Sequence, residues 1–201
     1  MSTKKILEIG GVLAGVVLIA FGVAAIYMGV DGRSTVRDSI AAEQITFGAA
    51  DDPVVARFAP QWAEEQVTTG EQARAFAQII HEHAFEGAGG LTYSQMGRFI
   101  AADDPDNAAG TSDEAAALKD ENGNPVSNGA RNTWVTATAL SSALNMSYMA
   151  EQTALFGIVV GIALLLSGIG FTILALGGAL RGREWTLFAK RHGTTKPVAT
   201  V

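Results

Sequence analysis

Leu155–Leu180 reads LFGIVVGIALLLSGIGFTILALGGAL, 26 residues without a charge or a proline. At about 1.5 Å per residue a helix of that length covers about 39 Å, more than the roughly 30 Å of a bilayer's hydrocarbon core. Ser167 and Thr172 are its only polar side chains. A backbone in hydrocarbon has to satisfy its own hydrogen bonds, so the stretch is a helix. A second apolar block, Ile6–Val30, is interrupted only by Glu8. It far exceeds the 7–15 apolar residues of a signal peptide, although Val23-Ala24-Ala25 loosely imitates a cleavage site. The chain therefore divides into a leader (1–5), a first transmembrane helix (6–30), a middle region (31–150), a second transmembrane helix (151–180) and a basic tail (181–201).

Charge orients this arrangement. The middle region holds seven Lys/Arg against seventeen Asp/Glu, and the other seven basic residues lie on the outer flanks of the two blocks. Positive flanks stay in the cytoplasm. The expected protein is thus a multi-pass plasma-membrane protein with both termini cytoplasmic and an acidic domain outside. An acidic middle argues against nucleic acid as a partner. There are no cysteines, so no disulfide braces the domain.

Both blocks repeat one glycine spacing: Gly11, Gly15 and Gly22 in the first, Gly157, Gly161 and Gly168 in the second. Each is a G-x-x-x-G followed by a glycine seven residues on, which places the three near one helix face. Small residues there let two backbones approach closely. The partner is either the other helix, another membrane protein or another copy of the chain. Tyr27 and Tyr148 mark the outer membrane interface, and Trp185 and Phe188 the inner one, within an amphipathic Glu184–Arg191 segment.

In the middle region Ser34–Gln44 continues the first helix. Pro53–Glu65 reads as a helix capped by Asp52 and shortened or kinked by Pro60. Glu71–Glu86 is the strongest amphipathic segment, and Gly87–Gly90 ends it. Tyr93–Ala101 reads as a further helix, with Met96, Phe99 and Ile100 on one face. Ala102–Asn128 is polar and rich in turn residues, with a short helix near Asp113–Leu118 and a turn at Glu121–Pro125. Ala130–Ala150 is the second span running upward, with Trp134, Ala137, Leu140 and Leu144 along one stripe. The apolar faces of these helices are expected to close into one core.

Chemistry-bearing patterns are few. His81 and His83, with Glu82 and Glu86, form the one cluster of metal-ligand types. Two histidines two apart point about 160° from each other on a helix, where the zinc-protease motif needs them four apart. Asp104 and Asp120 each begin a calcium-loop pattern that fails at later positions, Ala108 in one case and Pro125 and Arg131 in the other. No cofactor, catalytic residue or metal site is expected, and no nucleophile elbow, phosphate loop or dinucleotide fingerprint occurs.

MSTKKILEIGGVLAGVVLIAFGVAAI, TYSQMGRFIA and NGARNTWVTATALSSALNMSYMAEQTALFGIVVGIALLL resemble a family of small actinobacterial two-span membrane proteins of unknown function. The resemblance covers both membrane ends and the latter half of the outer region, and it implies an actinobacterial plasma-membrane protein. Relatives are often labelled aromatic ring-opening dioxygenases. Such enzymes hold iron with two histidines and a carboxylate around an open site, for which this chain offers only His81, His83 and neighbouring acids. The resemblance carries over no catalytic residue.

The expected fold is all-α: an antiparallel two-helix transmembrane hairpin whose helices extend into an extracytoplasmic helical domain. The expected role is a non-enzymatic scaffold or accessory subunit in the lipid bilayer, partnered by a membrane protein or by its own copies through the glycine faces. The alternatives are an extracytoplasmic sensor or ligand-binding module and a metal-dependent enzyme using His81 and His83.

Overall fold

The computed structural model describes residues 3–177. Trp185, Phe188, the amphipathic segment and the tail lie outside the described residues. The fold is all-helical. Among the described residues four α-helices follow one another: α1 (Thr3–Ala42), α2 (Pro53–Phe58), α3 (Gly70–Gly87) and α4 (Gly129–Leu176). Single 3-10 turns occupy Pro60–Trp62 and Tyr93–Gln95. α1 and α4 run antiparallel as a helical hairpin. The chain divides into two compact units, Met28–Phe156 and the remainder on both sides of it.

The first unit contains the apolar parts of α1 and α4. Both helices are long and apolar enough to cross a membrane, with mean hydropathy 2.6 and 2.5 over their most apolar windows. Only 11% and 17% of those windows are buried inside the protein. The core helix of a soluble protein would be mostly covered; here Leu13, Phe21, Phe156, Leu166 and Ile173 stand exposed. Such a surface suits hydrocarbon, not water.

The two helices meet along the glycines. A Cβ placed on Gly22 would stand 2.7 Å from Gly161 O, and one on Gly168 would stand 2.7 Å from Gly15 O. The backbones touch, and no larger residue fits. Gly15 and Gly22 are buried, as are Gly161 and Gly168, while Gly11 and Gly157 are half-buried. The members spaced by seven form the seam, and it continues to Ala175 on α4. Seven residues are two turns at 3.5 per turn, the period of a left-handed supercoil.

The second unit, Met28–Phe156, is the region expected outside the membrane and is called the outer unit. α1 ends at Ala42, and Gln44 follows at φ 53. Asp52 caps α2 by accepting from Val54 N and Val55 N at 2.8 and 3.3 Å. Pro60 ends the helix expected to reach Glu65, because it has no N–H for the next turn; the chain passes into the Pro60–Trp62 turn instead. α3 begins one residue earlier than expected, behind a capping box in which Thr69 and Gln72 bond reciprocally.

Two expected helices are absent. After the turn at Tyr93–Gln95, residues 97–102 leave the helical path and make their backbone bonds to residues 109–128. Phe99 and Thr111 exchange bonds at 2.9 and 2.8 Å, Ile100 N donates to Val126 O, and Ala102 N donates to Ala116 O. Only isolated bridges form here, not a strand. Gly97 explains the choice: a Cβ there would collide with the Thr111 backbone, and glycine inside a helix costs about 1 kcal/mol against alanine. The Asp113–Leu118 helix is likewise replaced, with Asp113 Oδ1 accepting from Ala115 N in a side-chain turn.

The expected single core is two adjoining clusters. One gathers Ile40, Phe47, Val55, Val67, Ile79 and Leu144; the other gathers Ala84, Ala88, Met96, Trp134 and Ala137, and Ile80 packs against both. α3 lies against α4, and Ser141 Oγ donates to Ala77 O at 3.1 Å. Leu140, expected in the core, is 43% exposed. Phe99 and Ile100 belong to neither cluster.

Candidate functional site

Glu151 is the one buried charged side chain among the described residues. The sequence reading begins the second transmembrane helix at Glu151, and by packing the residue groups with the compact unit Met28–Phe156. The uncharged apolar run of α4 begins four residues later, at Leu155. Arg33 and Arg37 lie one turn apart on α1, so both reach the same point. Each donates its Nε to Glu151 Oε1, at 2.9 and 2.6 Å. The other oxygen accepts from Gly70 N at 2.5 Å. Gly70 has to be glycine here, since a Cβ would stand 2.8 Å from Glu151 Oε2 and 3.0 Å from Tyr148 Cα.

Burial opposes ionisation of Glu151. The Gly70 N–H and the two guanidinium groups outweigh it and hold the carboxyl below the ordinary glutamate range. A polar cleft of about 150 Å³ adjoins the cluster, lined by Arg33, Arg37, Thr69, Glu71, Glu151, Gln152 and Leu155. Ligand pockets for small organic molecules run to roughly 300–1,000 Å³. The cleft is smaller and has acids and bases on the same walls. Its arrangement joins α1, the start of α3 and α4 at one point.

Sequence reading passed over this cluster. Two arginines four apart on a predicted helix were visible, and so was a lone glutamate at the edge of an apolar block. Their pairing spans 114 and 118 residues of chain, which no local pattern encodes.

His81 and His83 go to separate surroundings. The His81 ring meets Trp134 edge-on with centroids 5.0 Å apart. His83 Nε2 lies 3.5 Å from Asp52 Oδ2. Asp52 is held below the ordinary aspartate range, first by the Val54 N–H, with smaller contributions from Val55 and His83. Glu82 pairs with Arg57 at 3.1 Å on the surface. Among the described residues no group of three or more potential metal ligands is gathered. Of the interface aromatics, Tyr27 is 71% exposed, and Tyr148 carries the Arg74 guanidinium over its ring at 4.9 Å.

No family model, no curated protein and no solved structure matches this chain.

Proposed function

We propose that the chain is a membrane-anchored, non-enzymatic accessory protein that presents an acidic helical domain outside the cell, with both ends in the cytoplasm. The observation that carries this reading is how the outer unit uses its buried polar groups. Among the described residues Gln72, Asn128, Ser141 and Glu151 are the buried polar or charged ones and each is bonded into the fold, while Arg131 Nε is a buried atom without a hydrogen-bond partner. Gln72 closes the α3 cap, Asn128 binds Gly97 O and Ala108 O, Ser141 ties α4 to α3, and Glu151 ties both to α1. A reaction site keeps such groups turned into a pocket with their chemistry available. Here their bonds tie helices together, as a presenting domain needs, although Glu151 and Ser141 also line clefts. The bare apolar helices and the charge asymmetry support the anchor, and the resemblance to actinobacterial two-span proteins supports the same compartment.

The test is orientation. A short epitope placed in the exposed Asn122–Gly123 turn is expected to bind antibody on intact cells, and one after Val201 only after permeabilisation. The reverse pattern puts the acidic unit in the cytoplasm and overturns the reading.

The sensor reading has two observations in its favour: an open groove of about 520 Å³ between α3 and α4, lined by Ile80, His83, Ala84, Thr136 and Leu140, and the smaller cleft beside Glu151. The cleft's size and mixed charge suit a small ionic group at most.

A further inference from the structure

The cleft beside Glu151 lies where both apolar blocks begin. Along α1 the apolar block ends at Val30, and Arg33 follows three residues on. Along α4 the uncharged apolar run starts at Leu155, one turn after Glu151. Each step is only about 4.5–6 Å of helix, so two helices reach the same boundary independently at this cleft. Leu155 is part of its wall and is 39% exposed.

Its charged groups are only partly engaged. Arg33 and Arg37 give their Nε hydrogens to Glu151, whose other oxygen is held by Gly70 N. Among the described residues neither guanidinium makes a further hydrogen bond, and the two side chains stay 39% and 40% exposed. Their Nη groups are thus donors still lacking an acceptor. Two cations against one buried anion leave one positive charge over. Glu71 lines the same cleft, is exposed, and forms no ion pair among the described residues. The cleft therefore offers one unanswered charge of each sign beside an apolar wall.

We propose that this cleft binds the headgroup of a zwitterionic phospholipid with a primary amine, phosphatidylethanolamine being the simplest, with its phosphate on Arg33 and Arg37 and its ammonium on Glu71. Guanidinium groups meet phosphate through charge-assisted hydrogen bonds. A lipid carries its phosphate directly beside its acyl chains, at the level where apolar residues give way to polar ones. The volume of about 150 Å³ suits a headgroup whose chains stay in the bilayer. An anionic headgroup fits less well: Met28–Phe156 holds seven Lys/Arg against eighteen Asp/Glu, a net charge of −11, which repels anions. A quaternary amine donates no hydrogen bond and is usually held by aromatic rings, of which the cleft has none. A primary ammonium has three donors for a carboxylate. The inference rests on the membrane reading.

Native mass spectrometry of the full-length chain in mild detergent tests it, with phosphatidylethanolamine, phosphatidylcholine and phosphatidylglycerol of identical acyl chains supplied in equal amounts. The ethanolamine lipid is expected to be retained about tenfold over either of the others, the ratio that one charge-assisted bond supports. Glu71→Gln is expected to bring ethanolamine and choline lipids to parity. Equal retention by the wild-type chain, or an unchanged preference in Glu71→Gln, overturns the proposal. Arg33→Gln is expected to lower retention of all three lipids, since phosphate is common to them; undiminished retention overturns the phosphate assignment. Glycerophosphoethanolamine, the headgroup without chains, is expected to displace no lipid at the same concentration. Displacement makes the ligand a soluble one and overturns the lipid assignment. Alkaline washing of native membranes judges the membrane reading separately. A chain released by the wash defeats that reading and the site with it, while a chain that stays embedded and shows no headgroup preference defeats the site alone.

Discussion

Glu151 shows what geometry adds to a residue that hydropathy reads only as the edge of an apolar block. Beside an apolar run a single glutamate reads as the edge of a span. Its partners make it the fastening of the outer unit. Glu151→Gln leaves Arg33 and Arg37 without their anion and removes a charged acceptor from Gly70. Hydrogen bonds to charged groups contribute about 1.5–3 kcal/mol, and the arginines are about 40% exposed, so solvent screening reduces the loss. A destabilisation of about 1–2 kcal/mol is expected, read as a lower thermal midpoint in detergent. The pH dependence follows from the same contacts. A carboxyl whose pKa is lowered by folding contributes stability above its unfolded value, and that contribution is lost as pH falls through the folded value. Acidification from about pH 7 to about pH 3 should therefore lower the wild-type midpoint more than that of Glu151→Gln. Equal falls would remove Glu151 from the account.

Among the elements, long-period features were legible and close backbone approaches were not. α1 and α4 could be read from hydropathy, α2 from Asp52 and Pro60, and α3 from its apolar repeat. The Tyr93–Ala101 segment deceived because Met96, Phe99 and Ile100 fall at helical spacing by accident. Gly97 was the contrary sign, and its meaning depends on Thr111, fourteen residues on. Likewise the candidate site was legible only as scattered parts, because Gly70 matters through Glu151 and nothing near either residue says so. The glycine seam was half legible: the spacing announced a packing face, while the choice of the hairpin's own helices as partners is tertiary. Its test uses matched positions. Gly161→Leu drives a side chain into Gly22 O and Ile26, and overpacking typically costs about 1–3 kcal/mol. Gly170→Leu meets nothing within 4 Å and should leave the thermal midpoint unchanged. Similar midpoints for the two variants would refute the seam.

At the scale of the whole molecule, the long helix-free segment between α3 and α4 would ordinarily be its weak point. Yet residues 97–128 are laced by backbone bonds, with Leu118 N donating to Ile100 O, Val126 N to Leu118 O and Asn128 N to Arg98 O. A protease needs about ten residues of free chain to seat a cleavage site, and polar loops are where it usually finds them. Trypsin's targets in the outer unit are Arg33, Arg37, Arg57, Arg74, Arg98, Lys119 and Arg131. Five lie within helices, and Arg98 and Lys119 lie in the laced segment. Brief trypsin treatment of the folded chain should therefore spare all seven, leaving Met28–Phe156 uncut within one longer fragment by mass spectrometry. Rapid cutting at Lys119 would show that the lacing opens readily. In the proposed orientation the acidic unit would be a durable one, able to persist among secreted proteases without a single disulfide.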